Sequence, residues 1–520
     1  MSSSESPPAA RAETHRAGAA SPPPPTSDGA PASPEASPAV APNRWGVLRH
    51  KHYRNVLGAQ AFSNVGTWVE MFAIQMFVAQ VTGRLDDQGY LGVVLQFPVC
   101  LLGLLGGFAA DRLNRRTLLV VTQLAAGVVA ASSAWIVGHK FPDDHTAVNW
   151  LFVCGAANGA VMAFNFPAWQ VLTPRLVPKE DLGDAITITG IQFNFARILG
   201  PVVAGLLFAW LGPSPLLWFN ALTFVIMSGV VMTTPDAPPP PKPKESIASQ
   251  FWEAWSFLLH NRGPRAVFFA QVTLCLLAAP LTRMLCNYVI DVYNVKAVVD
   301  GLSAEAAKAA RHAADDKAAH IASTLLSIQG AGAVVGGLCL KFVPKWYPKH
   351  HFIPLSVTAL GISITLFALT KTIWTGYAVM AVCGWFWMWA FNQSWAQIQV
   401  LTPDRMRGRA MSVTNVAVFG AMAIGSLVSG LCGEQLKRRG ILDAAWATQT
   451  SILMLSIPLV AAGIFMMLYR TPEVDSMPRK PGDKRARSLY YAITAGEHRP
   501  RSGEPAPGPT VAAISEQEPM

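Results

Sequence analysis

A short basic turn between two long apolar segments most constrains how this chain can fold. Residues Gly106–Arg116 read GGFAADRLNRR, so a glycine-rich helix end runs into one aspartate and three arginines before the next apolar run begins. Such a turn between apolar helices is typical of a membrane hairpin whose loop lies on the cytoplasmic side. The glycines allow neighbouring helices to approach closely where the charges begin.

The composition also indicates a membrane protein. Of the 520 residues, 51% are hydrophobic and 14% are charged, whereas a soluble domain has roughly 25% charged residues. A net charge of +10 would also suit a nucleic-acid ligand. However, the lysines and arginines lie mainly in loops and at the chain ends, where they orient a protein in a membrane. We therefore expect a lipid bilayer around the protein and no nucleic-acid partner.

The pattern of apolar segments predicts an all-α polytopic protein. A span needs roughly 20 mostly apolar residues, and twelve segments meet this requirement. In the first half they cover about 55–81, 90–110, 117–138, 147–173, 183–210 and 214–233, and in the second half about 264–292, 320–341, 352–371, 373–400, 408–433 and 445–469.

The remaining segments divide the chain into five parts. Disordered tails are predicted at 1–43 and 471–520, because these residues are polar and hold no apolar core. The predicted six-helix bundles cover 44–233 and 264–470, and a cytoplasmic linker covers 234–263. Within the linker, the spacing of apolar residues predicts an amphipathic helix that lies along the membrane and clamps the two halves.

The loops between the spans indicate which side of the membrane each segment faces. Residues 303–319, rich in alanine and charges, predict a short external helix. The basic residues place the GGFAADRLNRR loop and both termini in the cytoplasm. The external triplet Lys437–Arg439 is an exception to this rule, and Glu434 and Asp443 only partly balance it.

A weak direct repeat relates the two halves. Leu176–Ala185 aligns with Leu401–Ala410 without a gap, and in the same register Ile198–Gly205 meets Ala423–Gly430. A parallel repeat of two pseudo-symmetric six-helix bundles predicts a substrate site near the bilayer midplane, between the halves. The sequence therefore predicts a small-molecule transporter that works by alternating access.

The GGFAADRLNRR loop resembles the signature loop of the major facilitator superfamily, with Asn114 in place of a usual glycine. This resemblance implies a conformational-switch role for one glycine, one aspartate and three arginines: Gly107, Asp111, Arg112, Arg115 and Arg116. The fifth span is similar to the antiporter motif of the superfamily at Gly200, Pro201 and Gly205, although Ala196 stands where a glycine is usual.

Four other stretches resemble the enterobactin-exporter-like, or transmembrane secretion effector, branch: Ser63–Trp68, Pro174–Pro178, Phe193–Pro201 and Asp404–Arg409. The resemblance implies export of amphipathic molecules across the bacterial inner membrane by a monomer. It also implies that the proton gradient is the energy source. No G-x-x-x-x-G-K-[ST] loop is present, so we expect no ATP, no other cofactor and no enzyme activity. The seven cysteines form no C-x-x-C pair and indicate no metal site.

Charged residues in the middle of spans are the main site candidates, because each costs about 2.5–3.5 kcal/mol on insertion. Glu70 is a candidate proton-coupling carboxylate. Arg197 is its candidate partner, or an anchor for anionic substrate groups; alternatively the two form a fixed pair that pins helices. Glu70 is expected to lie on one inward polar stripe of the first span. The other members of that stripe are Gln60, Ser63, Asn64 and Thr67.

One further arginine and several aromatic and amide residues complete the candidate cavity. Arg283 marks substrate selectivity or, alternatively, pairs with Asp291 at the outer surface. In the tenth span, aromatic and amide side chains suit a ring-bearing amphipathic substrate, but tryptophans also anchor helices at interfaces. The candidates are Trp389, Gln393 and Trp395, with Gln192 as a further cavity residue and Asn165 as a cavity residue or an interhelical hydrogen-bonding group. Two alternative functions stay open: an importer of a small organic anion, and a non-transporting membrane sensor or scaffold.

Overall fold

The computed structural model describes residues 44–139, 141–172, 175–235, 247–300, 302–343, 349–403 and 406–468, and every regular element in these ranges is helical. The two predicted disordered tails lie outside the described residues. The α-helices are α1 (Lys51–Thr82), α2 (Leu85–Arg112), α3 (Arg115–Gly138), α4 (Asp144–Leu172), α5 (Leu182–Leu211), α6 (Pro213–Met232), α7 (Ile247–His260), α8 (Arg262–Ala278), α9 (Pro280–Asp291), α10 (Ala304–Cys339), α11 (Lys349–Ala368), α12 (Ile373–Leu401), α13 (Arg407–Arg438) and α14 (Ala444–Leu468).

Most of these helices can cross a bilayer. Within the described ranges, ten spans are long and apolar enough, with α8 and α9 together forming one of them, Arg262–Asp291. The expected count of twelve also requires α1, with 32 residues, and α12, with 29 residues. Both are long enough to span, and both pack among the others: α1 against α5 and α6, and α12 against α10 and α11.

The helix boundaries agree with the predicted repeat. Helix α5 begins at Leu182 and α13 begins at Arg407, so the two starts differ by 407 − 182 = 225 residues. The aligned segments that begin at Leu176 and Leu401 differ by the same 401 − 176 = 225 residues. Equivalent helices of the two halves therefore start at equivalent positions.

One predicted element is wrong in detail, and one confirmed span contains a break. Residues 303–319 do not form a separate external helix, because α10 runs without interruption from Ala304 to Cys339. The alanine-rich segment has high helix propensity, and Ser303 caps its start by accepting from the Ala306 backbone N–H. The seventh span, in contrast, is divided into α8 and α9 at Pro280, since proline removes a backbone donor and bends a helix.

The amphipathic helix α7 forms as predicted, and its main contacts among the described residues are with one half. Its contacts are with α8 and α13 of the second half. Ala254 and Leu258 are fully buried, whereas Trp252 is 63% exposed. Glu253 also accepts from Arg409 of α13 at 2.5 Å. The helix is therefore a part of the second bundle's surface.

Adjacent glycines at the end of α2 have different environments. A Cβ added at Gly106 would overlap the Ala163 carbonyl oxygen of α4, whereas one added at Gly107 would meet nothing within 4 Å. Gly106 is thus required for the close approach of α2 and α4, and Gly107 is not.

This contrast gives a matched pair of variants. Gly106→Ala should lower stability by about 1–3 kcal/mol, because the added methyl group forces α2 and α4 apart. Gly107→Ala should leave stability unchanged or raise it slightly, since alanine favours the helix. Thermal unfolding of the two purified variants in detergent measures the difference, and equal midpoints would contradict the packing described for Gly106.

Candidate functional site

The signature loop is built around the N-terminal cap of α3. The Asn114 side chain accepts from the backbone N–H groups of Arg116 and Thr117 at 3.0 and 3.3 Å, which gives its replacement of a glycine a structural role. Arg112 lies over the Phe108 ring at 3.8 Å. The other two loop arginines also pack against the protein. Arg115 is buried, and Arg116 donates to the Met232 carbonyl oxygen. The Asp111 side chain lies outside the described residues.

A second polar contact at this end joins the residues just before α1 to the residue just before α5. Asp181 accepts from Arg49 at 2.9 Å and lies 2.7 Å from His50 Nε2. The hydrogen bond with His50 and, to a lesser extent, the neighbouring Arg49 hold the pKa of the Asp181 carboxyl below its usual range. The carboxylate is therefore charged at neutral pH and fixes the two chain segments together.

The expected polar stripe of α1 is divided between two neighbours. Glu70 is 6% exposed and accepts from the Asn220 side chain of α6. Asn64 instead donates to Gln192 of α5 at 3.2 Å, and Thr67 is exposed. The groups expected to share one cavity thus face two different environments.

The structure gives Glu70 and Arg197 separate partners. No ion pair joins them among the described residues; the Arg197 guanidinium is half-buried and lies 5.9 Å from the Trp68 ring centroid. Asn220, which donates to Glu70, was not among the predicted site residues. Its signal was present, since an asparagine in the middle of an apolar span needs a hydrogen-bond partner.

The antiporter-like motif mediates helix contacts. A Cβ at Gly200 would overlap Trp68 of α1, and a Cβ at Gly205 would overlap Ser323 of α10. Pro201 is buried between them on α5. The two glycines allow α5 to pack closely against α1 of its own bundle and against α10 of the second bundle.

The two candidate tryptophans of α12 contact other aromatic rings and a neighbouring helix. The Trp389 indole N–H donates to the Gly336 carbonyl oxygen of α10 at 2.7 Å, and its ring lies 5.0 Å from that of Phe352. Trp395 stacks on Phe391 at 6.1 Å. Both tryptophans therefore pack helices, while the neighbouring Gln393 is half-buried.

Two further amide residues have helix-packing environments. Asn165 of α4 is buried and donates to Thr122 of α3 at 2.9 Å. Gln397 of α12 lines an apolar cavity of about 370 Å³ whose other walls come from α8, α11 and α14. Neither residue is placed by its contacts between the two bundles.

Arg283, in contrast, lies at the seam between the bundles. It is 9% exposed. The Gln75 amide of α1 is oriented so that both of its polar atoms have partners. The Gln75 oxygen accepts from Arg283 at 2.8 Å, and the Gln75 nitrogen donates to the Thr282 carbonyl oxygen at 3.0 Å. The expected alternative partner, Asp291, instead pairs with Lys296 at 2.9 Å. Arg283 therefore joins α9 to α1.

A charge cluster closes one end of this seam. Asp86, at the start of α2, accepts from Arg84 at 2.6 Å and from Arg438 of α13 at 3.0 Å. Arg438 also donates to Glu434 at 3.1 Å. The side chains of Asp86 and Glu434 are about nine-tenths buried. The cluster is therefore a closely packed contact between the two bundles.

Backbone groups extend the same junction. Glu434 accepts from the Leu85 N–H at 3.0 Å, and Lys437 donates to the Gly83 carbonyl oxygen at 2.8 Å. These contacts explain why basic residues occur on the expected outer side: Lys437 and Arg438 bind groups of the other bundle. We call this junction the latch, comprising Gly83, Arg84, Leu85, Asp86, Glu434, Lys437 and Arg438.

The latch and the signature loop lie at opposite ends of α2. This helix has 28 residues, which corresponds to a length of about 42 Å. The structure is therefore closed between the bundles at the latch end, far from the loop with the signature arginines.

Two helical bundles that meet along a polar seam, closed at one end, define a membrane transporter of the major facilitator type. The chain belongs to the transmembrane secretion effector family, whose sequence profile matches residues 42–493. This confirms the family resemblance and identifies the chain as a multi-pass membrane protein.

Comparisons with individual proteins agree with this assignment. The chain is 25% identical over 426 residues to the enterobactin exporter EntS of Escherichia coli O1:K1 / APEC, covering 81% of this chain and 94% of the relative. The nucleoside transporter NupG has the same fold, with a TM-score of 0.60 at 17% identity over 81% of this chain and 100% of NupG. A D-xylose–proton symporter gives a TM-score of 0.56 at 15% identity over 83% and 100% of the two chains.

The latch geometry predicts that Arg438 keeps the seam closed. Ser426 of α13 is 1% exposed and lies against Gly92 of α2, below the latch. We replace it by cysteine after the seven native cysteines have been changed to alanine. Because Arg438 is half-exposed, Arg438→Ala should remove about 1 kcal/mol of closure, which corresponds to about five-fold faster labelling by a membrane-impermeant maleimide.

Arg439→Ala is the control, since Arg439 is the exposed neighbour of Arg438 and its side chain is outside the latch. It should leave the labelling rate of the cysteine unchanged. Equal rates in the Arg438 and Arg439 variants would show that the latch does not control access to the seam.

Proposed function

We propose that the protein is a proton-coupled exporter of an amphipathic small molecule, such as a siderophore, drug or secondary metabolite, and that it works as a monomer by alternating access. The observation that carries this proposal is the asymmetry of the seam. It is closed by the latch at one end, where charged side chains of α2 and α13 pair, while the signature loop lies at the opposite end of α2. The signature-loop end is then the cytoplasmic end, with both termini on that side.

The direction of transport rests on the family and its relatives. The curated relatives are enterobactin exporters, which favours export over import. The fold alone does not decide the direction, because a D-xylose–proton symporter also has it. A sensor or scaffold without transport has no need for costly charges in its spans, whereas Glu70, Arg197 and Arg283 are all retained there.

Glu70 is the proposed proton carrier. It is the carboxylate in the middle of a described span, and its hydrogen bond to Asn220 connects α1 to α6. Gain or loss of a proton changes what the carboxyl group can accept or donate, so it changes this helix contact. Proton binding is in this way linked to the arrangement of the first bundle. No other cofactor is required.

Glu70→Gln tests this role, because glutamine keeps a hydrogen-bonding group near Asn220 but cannot carry the proton. Purified protein is reconstituted in liposomes with an imposed pH gradient, and enterobactin is the first compound tested. We expect gradient-driven flux in the wild-type protein and a fall to the level of protein-free liposomes in the variant, with reconstitution unchanged.

Glu180→Gln is the matched control, since Glu180 is an exposed carboxylate outside the spans; it should transport normally. Normal flux by Glu70→Gln would exclude Glu70 as the proton carrier. Gradient-independent flux in the wild-type protein would exclude proton coupling, and inward accumulation would favour the importer.

A further inference from the structure

The charges in the middle of the described spans do not balance each other. One carboxylate, Glu70, and two arginines, Arg197 and Arg283, lie there. The Glu70 carboxylate binds Asn220, and neither arginine forms an ion pair with a described carboxylate. The middle of the described spans therefore has an excess of positive charge.

Arg283 is the more deeply buried of the two cations. It is 9% exposed, and the acceptor that the structure gives it is the neutral Gln75 side chain at 2.8 Å. A guanidinium has five N–H donors arranged in a fork that matches two anionic oxygens. A buried cation without a counter-charge is costly, so this arrangement favours the arrival of an anion.

A second buried group on the same helix also lacks a partner. Asn287 is 1% exposed, and among the described residues neither its amide nitrogen nor its amide oxygen has a hydrogen-bond partner. It follows Arg283 by four residues, so the two side chains lie on one face of α9. That face contacts α1 through Gln75. Unsatisfied buried amides are rare in native proteins and call for an explanation.

The position in the fold is also suited to an anion. Arg283 lies in the first turn of α9, directly after the interruption of the seventh span at Pro280. In secondary transporters, broken spans place the N-terminal end of a half-helix toward anionic substrate groups. Here the half-helix has 12 residues, and it contacts the first bundle at the seam below the latch.

We infer that Arg283 and Asn287 bind the acidic group of the transported molecule, and that the cargo is therefore an organic anion. This inference rests on the proposed transport function. Arg197, half-exposed on α5 of the other bundle, supplies a second positive charge on the path. The guanidinium of Arg283 takes the two anionic oxygens, and the Asn287 amide donates one further hydrogen bond.

Binding of a charged probe and its neutral analogue tests the inference. The full chain is purified in detergent, and the affinities for 2-naphthoate and 2-naphthamide are measured by calorimetric titration, without a gradient. Because Arg283 lies below the latch, each titration is done with the wild-type protein and with Arg438→Ala. We expect 2-naphthoate to bind about tenfold more tightly than 2-naphthamide in the latch variant.

Substitutions then assign the site. In the Arg438→Ala background, Arg283→Gln should reduce the 2-naphthoate affinity to that for 2-naphthamide, and Arg283→Lys should retain part of the preference. Arg311→Gln is the control, since Arg311 is an exposed arginine near the start of α10; it should change neither affinity. Unchanged 2-naphthoate affinity in Arg283→Gln, or no 2-naphthoate binding in either background, would overturn the inference.

The outcome is independent of the flux assay. If 2-naphthoate binding depends on Arg283 but no gradient-driven flux is found, the anion site stands and the proposed exporter function fails. If flux is intact and 2-naphthoate binds no better than 2-naphthamide, the exporter function stands and the anionic class of cargo is wrong.

Discussion

The first bundle meets the second where α2 lies against α13, and small residues set how closely these helices approach. A side chain at Gly92 would overlap Ser426, and one at Gly430 would crowd the Leu85 carbonyl oxygen. Because no side chain separates the helices there, the backbone N–H of Leu85 comes within 3.0 Å of Glu434. The latch contacts, and the burial of Arg283 nearby, depend on this approach.

Local features of the chain predicted most of the fold. Apolar runs, their length and their boundaries are properties of neighbouring residues, so α5 and α13 begin within one residue of the predicted spans. The buried face of α7 likewise follows from the helical spacing of Phe251, Trp255 and Leu258. The segment 303–319 was misjudged because its charges indicate exposure to water, and exposure does not determine whether a helix ends.

The partners of polar residues could not be predicted in the same way. Helical spacing shows that Asn64 and Glu70 point away from lipid, but both α5 and α6 lie beside α1. Glu70 takes a partner 150 residues away, and Asp86 takes one 352 residues away. Such pairings depend on how the bundles pack. Local sequence patterns do not show which distant residues will meet. For this reason the sequence did not indicate that Glu70 would contact Asn220 and Arg197 would lie near Trp68.

The cost of charge in a membrane has two solutions in this structure, and the proposed alternating-access mechanism uses both. At the latch, Asp86 and Arg438 neutralise each other across the seam, so separating the bundles costs the energy of that contact. Below the latch, Arg283 has a neutral partner, Gln75. When the bundles separate, water or an anion can replace Gln75 as the partner of Arg283. The loss at the latch is therefore partly offset by solvation of Arg283. The proposed mechanism requires two states of similar free energy that a proton or cargo can interconvert.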